Sequence, residues 1–161
     1  MRLLDLIESV LFRSKTVSKE VHIPLKEIIC KCKKKDFIEK FRTTAVGTEY
    51  SNPDGSHRQD AMKKIKEKDR VRLVWSEGQS GSKNIVYLVK GGIGRELVMS
   101  NCFGRLDDKT AAQVIQWLNK ENIVTAGRII KITGGTPKHP KFGCILELET
   151  YQGPKETNKK T

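Results

Sequence analysis

A mainly β domain of the α+β class is predicted for this chain, with about six short strands and two short helices curled into a small barrel. Three observations predict it. Apolar residues alternate with polar ones over several short segments, the period-two pattern of half-buried strands. Glycine-rich turns separate those segments. Only two short central stretches, near residues 56–66 and 108–118, carry the wider spacing of a helix, and many short strands with few helices pack most simply as a barrel-like sheet.

The chain has 161 residues, enough for one domain with a real core and an extension. Residues 3–12 open it with helical spacing: Leu3, Ile7, Val10 and Leu11 share a face, with Leu4 beside it. Asp5 and Glu8 interrupt the apolar run and no small-residue cleavage site comes after it, so the segment does not read as a signal peptide. Residues 13–35 are polar and basic, and Pro24 argues against a central strand there. Lys31, Lys33, Lys34 and Lys35 form a cluster that reads either as a solvated linker or as a phosphate-contacting arm. The polar residues 153–161 are expected to be a disordered tail.

An extended segment is predicted over residues 37–47, where Phe37, Phe41 and Ala45 alternate with charged or hydroxyl residues. Asn52-Pro53-Asp54-Gly55 is a turn: proline pre-sets φ, and glycine leaves the backbone free to complete the reversal. A helix is expected from about Ser56, with Ala61, Met62 and Ile65 inward. Val71, Leu73 and Trp75 predict a half-buried strand, and Glu77 to Lys83 a glycine- and serine-rich loop. Asn84 to Lys90 predicts a second strand in this region, Gly91 to Gly94 a tight turn, Glu96 to Asn101 a third strand and Phe103 to Leu106 a short fourth. Asp107 or Asp108 is placed to cap the next helix, because a carboxylate there accepts from free backbone N–H groups. Ala111, Ile115 and Leu118 would line its inner face, with Trp117 at the margin. Val124 to Thr133 and Phe142 to Tyr151 read as closing strands around the loop Gly134 to Lys141.

Charge points to a partner. The formal net charge is +12 and the pI about 9.6. The excess is spread along the chain: residues 1–42 hold 11 Lys/Arg against 6 Asp/Glu, and residues 43–152 hold 17 against 12. A field of that sign favours polyanions. No stretch approaches the roughly 20 apolar residues of a membrane span.

The residues do not spell out catalysis. The run Lys90 to Gly94 lacks the GK[ST] ending of a phosphate-binding loop and sits between strands. His22, His57 and His139 lie far apart in sequence. Asp107-Asp108 is explained as a helix start, and Glu147 with Glu149 as one exposed strand face, so no carboxylate cluster for Mg²⁺ stands out. Cys30, Cys32, Cys102 and Cys144 are too sparse for a secreted disulfide framework. Zinc on the Cys30/Cys32 pair would need a second pair of ligands, and His22 is the one candidate close in sequence. Reduced thiols fit a cytoplasmic, nucleoid-associated or nuclear protein with no cofactor and no metal.

From Thr43 to Tyr151 the motifs stand in the order of a known family. Ala45-Val46-Gly47-Thr48-Glu49-Tyr50 comes first. His57-Arg58-Gln59-Asp60 then opens a helix leading to Asp69-Arg70-Val71-Arg72-Leu73. A loop from Glu77 to Asn84 precedes Ile85-Val86, and Phe103-Gly104-Arg105-Leu106-Asp107 precedes the second helix. This order resembles the HIRAN family, found fused to SWI/SNF-type helicases and alone in bacteria and phages. The resemblance implies a domain over residues 43–152 and leaves residues 1–42 as an extension. The resemblance implies an OB-like fold and non-catalytic binding of DNA, with a grip on a single-stranded 3′ end. It places Tyr50 in a pocket, Arg105 beside it and Phe142 at the rim, and matches Asn84 to the family asparagine. Arg58, Arg72, Lys83, Lys90, Lys138 and Lys141 join them as candidate contacts to nucleic acid. Gln79-Ser80-Gly81-Ser82 replaces the family's Asn-Pro-Tyr-Asp, which removes two side chains that recognise the terminal nucleotide and leaves general strand binding as the expectation. A protein-interaction or targeting module, docking through residues 1–42, and a small metal-dependent nuclease are the alternatives.

Overall fold

The computed structural model describes residues 25–76, 84–91 and 96–154. The helix expected over residues 3–12, the loop 77–83 and most of the turn 91–94 lie outside the described residues.

The protein is mainly β. Seven antiparallel strands form one sheet: β1 (Leu25–Ile28), β2 (Phe37–Thr44), β3 (Arg70–Ser76), β4 (Ile85–Lys90), β5 (Cys102–Arg105), β6 (Ile123–Thr133) and β7 (Gly143–Gln152). The order is β2-β7-β6-β3-β4-β5, with β1 added on β3. Among the described residues two α-helices accompany it, α1 (Arg58–Met62) and α2 (Asp108–Gln116). The ladder does not close into a ring. One bridge joins its two ends: Val46, just after β2, and Arg105 of β5 exchange N–H···O bonds of 2.9 and 3.0 Å.

Strand β3 organises the sheet. Arg70 and Val71 pair with β6, Leu73 to Ser76 pair with β1, and its other edge pairs with β4. The alternation Val71, Leu73, Trp75 predicts one buried face, yet Arg72 and Val74 are buried too. The main core takes Val71, Leu73 and Trp75 with Val86, Leu88, Phe103, Leu106, Leu146 and Leu148. On the opposite face Val74, Tyr87, Val89, Met99 and Cys102 form a second cluster, covered by Leu25, Ile85 and Leu97. A central strand covered on both sides loses the alternation signal.

Strand β1 was not expected, because Pro24 and the lysines suggest an exposed arm. Its four residues pair with β3 all the same. The boundary expected at residues 42 and 43 falls inside β2, which pairs with β7 from Phe37 opposite Tyr151 to Thr44 opposite Ile145, with a bulge between Phe37 and Glu39. The strand expected over Glu96–Asn101 is a second difference. Residues 96–98 carry no strand pairing and Met99–Asn101 form a 3₁₀ turn. The amide of Asn52 donates to the Met99 and Cys102 carbonyls, each at 3.0 Å, and ladder pairing with β4 starts at Cys102.

Helix α2 has its expected start. Asp107 caps it by accepting from the Thr110 N–H at 3.0 Å, and Ala111, Val114 and Ile115 are buried. Leu118 and Trp117 are partly buried against the core, Trp117 edge-on to Phe41. Gly153 and Pro154, expected within a disordered tail, are held to the turn before β6, and residues 155–161 lie outside the described residues. The Gly153 N–H donates to the Asn122 carbonyl at 2.7 Å, and the Asn122 amide donates to the Pro154 carbonyl at 2.7 Å. No helix among the described residues is long and apolar enough to cross a membrane.

Candidate nucleic-acid interface

The turn after β2 gathers three of the candidate contact residues. Gly47 has φ +68°, a backbone conformation that glycine adopts without steric cost. A Cβ there would lie 2.9 Å from Arg58 Nη1, 3.5 Å from Arg105 Nε and 3.5 Å from Tyr50 Cδ2. Gly47 is thus the point where Tyr50, Arg58 and Arg105 converge.

Arg58 is the post beneath this turn. It is only 6% exposed. Its Nε donates to Asn52 Oδ1 at 2.9 Å and its Nη1 to the Gly47 carbonyl at 2.8 Å. Its own N–H donates to the Tyr50 carbonyl at 3.3 Å, and its guanidinium carbon lies 5.8 Å from the centroid of the Tyr87 ring. All these partners are formally neutral, and no carboxylate among the described residues pairs with it. A buried guanidinium held by neutral acceptors leaves positive potential under the Gly47–Tyr50 turn. Arg58, expected among the contacts to nucleic acid, thus spends Nε and Nη1 on the protein's own turn. Burial raises the Tyr87 pKa; the neighbouring Arg58 charge opposes that rise.

Tyr50 stands out of the surface, 60% exposed, with its backbone N–H donating to the Gly47 carbonyl at 3.2 Å. That exposure leaves ring surface for a base to stack on. Arg105 lies at the edge of the site. Its Nη1 donates to Asp108 Oδ1 and to the Leu106 carbonyl, both at 3.2 Å, while its side chain stays partly exposed.

The loop between β6 and β7 is tied to the same place by a residue that sequence reasoning did not mark as a site. Gln59 accepts from the Phe142 N–H at 2.8 Å and donates to the carbonyls of Phe142 and Thr48, each at 3.0 Å. The Thr48 hydroxyl adds a bond to the Phe142 carbonyl at 3.2 Å. Phe142 is half-buried, its ring lying over Gly135, where a Cβ would collide with the ring edge at Cε1. The exposed Lys138 and Lys141 precede it on that loop.

Other expected contacts lie elsewhere. Arg72 is buried and makes a two-pronged ion pair with Glu27, Nη2 to Oε1 at 2.6 Å and Nε to Oε2 at 2.8 Å. It tethers β1 to the sheet, and this structural role replaces the expected phosphate contact. Lys90 ends β4 with its ammonium donating to the Lys64 carbonyl at 2.6 Å. Asn84 is exposed just before β4, and Lys83 lies outside the described residues. Glu147 and Glu149 do not cluster with other acids: Arg42 and Lys40 of β2 stand opposite them. No group of three or more His, Cys, Asp or Glu side chains suited to a metal ion occurs among the described residues.

No family model matches the chain, and no curated protein or solved structure matches it.

Proposed function

We propose that this chain is a non-catalytic nucleic-acid-binding module of the HIRAN type, built on an OB-like barrel and engaging single-stranded DNA or DNA ends in the cytoplasm or nucleus. The observation that carries the reading is the convergence at Gly47. An exposed aromatic ring, a buried cation without a carboxylate partner among the described residues and a partly exposed arginine meet at one turn. A loop bearing Lys138 and Lys141 is fastened beside them. Stacking on Tyr50 is tolerant of base identity, and the positive field serves any phosphate. The bridge between Val46 and Arg105 supports the barrel, because it links the two ends of the strand order.

The test is a titration of the full chain with a labelled single strand, its duplex and a 3′-phosphate version, at two salt concentrations. The single strand is expected to bind more tightly than the duplex, with affinity falling as salt rises. No binding by micromolar protein at low salt would refute the reading. Equal affinity for 3′-hydroxyl and 3′-phosphate ends would remove end capture alone and keep strand binding.

A further inference from the structure

The segment between β1 and β2 carries two thiols at the place where the sheet forks. Strand β3 gives its first residues to β6 and its last to β1. A cavity of about 330 Å³ opens where those partners diverge, lined among others by Thr125, Gly127 and Tyr151 of the closing strands and by both Cys30 and Cys32. A second cavity, about 560 Å³, is lined by Lys31, Lys33 and Cys32 among others. Both thiols thus border the cavity at the fork, and Cys32 borders the second cavity as well.

We propose that Cys30 and Cys32 close reversibly into an internal disulfide by exchange with a low-molecular-weight disulfide such as oxidised glutathione. One thiolate attacks the small disulfide, forms a mixed disulfide and expels one small thiolate. The second protein thiolate attacks the mixed disulfide at the protein sulfur and expels the other. Two protein thiols are oxidised, one small disulfide is reduced to two thiols, and the two protons go to the leaving thiolates.

Three features of the fold favour closure. The Cys30 and Cys32 side chains are within hydrogen-bond reach of each other, and residues two apart have Cα atoms at most about 7 Å apart, which reaches the range of roughly 4.4–6.8 Å that disulfides span. Residues 29–33 belong to no strand or helix, so closure breaks no ladder bond. Both thiols are free and half-buried against the same cavity. The other two cysteines, Cys102 and Cys144, are buried in separate clusters of the core. Closure also removes the S–H that Cys32 donates to the Gln152 carbonyl at 3.6 Å, which loosens the end of β7. Burial, then the hydrogen bond and charge of Cys30, push the Cys32 thiol up to about 11. Exchange through Cys32 is therefore slow near neutrality and accelerates with rising pH.

The experiment equilibrates the full chain in a series of reduced and oxidised glutathione buffers, blocks free thiols and maps them by mass. The oxidised form is expected to be lighter by about 2 Da, with the bond between Cys30 and Cys32. The equilibrium constant for ring closure is expected to be at least about tenfold larger in the folded chain than in the same chain unfolded in denaturant. C30S and C32S are each expected to stop at a glutathione adduct. An equal or smaller constant in the folded chain would overturn the proposal. So would a wild-type protein that accumulates glutathione adducts, or a single variant that still forms an internal disulfide.

Discussion

Gln59 satisfies both main-chain polar groups of Phe142, accepting from its N–H at 2.8 Å and donating to its carbonyl at 3.0 Å. The two residues are 83 positions apart. This one side chain fixes the β6–β7 loop against the turn that presents Tyr50. Truncation in Q59A strands the Phe142 N–H, while the Thr48 hydroxyl still serves the carbonyl. Unfolding in urea is expected to show a loss of about 1–3 kcal/mol. Strand affinity should fall as well, because Phe142 and Lys141 lose their placement. A variant with unchanged stability would show that the loop is held by other contacts.

Tyr50 should separate binding from folding. Its ring is exposed, so Y50A is expected to change stability by no more than about 0.5 kcal/mol. Affinity for a single strand should drop by about 1–3 kcal/mol if a base stacks on it. Y50F keeps the ring and should keep the affinity. Equal losses in Y50F and Y50A would mean that the hydroxyl, not the face of the ring, makes the contact.

Arg72 and Glu27 make the opposite prediction. E27A removes the carboxylate of a buried two-pronged ion pair while Arg72 keeps its bond to the Glu96 carbonyl, at a cost of up to about 3–5 kcal/mol in unfolding free energy. At temperatures where the variant stays folded, strand affinity should be unchanged. A selective loss of affinity with intact stability would restore Arg72 to the binding surface.

Asp107 gives a pH signature. Burial opposes its ionisation, but hydrogen bonds from Thr110 and Thr43 together outweigh that and hold the carboxyl below its ordinary 3.8. A carboxyl depressed in the folded state stabilises above the unfolded-state value, and the contribution is lost as pH falls through the folded one. D107A should cost about 1 kcal/mol at neutral pH. D107N still caps the helix, so it should lose only about 0.3–1 kcal/mol of charge–dipole energy. The gap between wild type and D107N should shrink below about pH 4, read by urea unfolding across pH. A constant gap would mean that the charge contributes nothing.

What was legible in the sequence is what local spacing controls. The Asn52–Gly55 turn, the Asp107 cap and the long strands β6 and β7 each depend on residues within one turn or one alternation. The rest depends on distant partners. Strand β1 exists because β3 offers it an edge and Glu27 meets Arg72, 45 positions away. Residues Glu96–Asn101 have the composition of a strand, but the ladder with β4 begins only at Cys102. Within the candidate site, Tyr50 and Arg105 were named only through the family resemblance, which put Tyr50 in a pocket with Arg105 beside it, whereas the structure leaves Tyr50 60% exposed. The inward bonds of Arg58 and the role of Gln59 were not legible, since Asn52, Gly47 and Phe142 become their partners only when the sheet is assembled.

The proposed binding site puts a single strand at the Gly47 turn. The lysines at 31–35 lie toward the other end of the β2–β7 pair, whose ten-residue strand β7 spans roughly 30 Å. A short single strand bearing one photoreactive base, cross-linked to the full chain and mapped by mass, tells the two apart. The predicted result is a cross-linked peptide containing Tyr50, lost in Y50A. Cross-links confined to the Lys31–Lys35 segment, or none at saturating strand, would contradict the account.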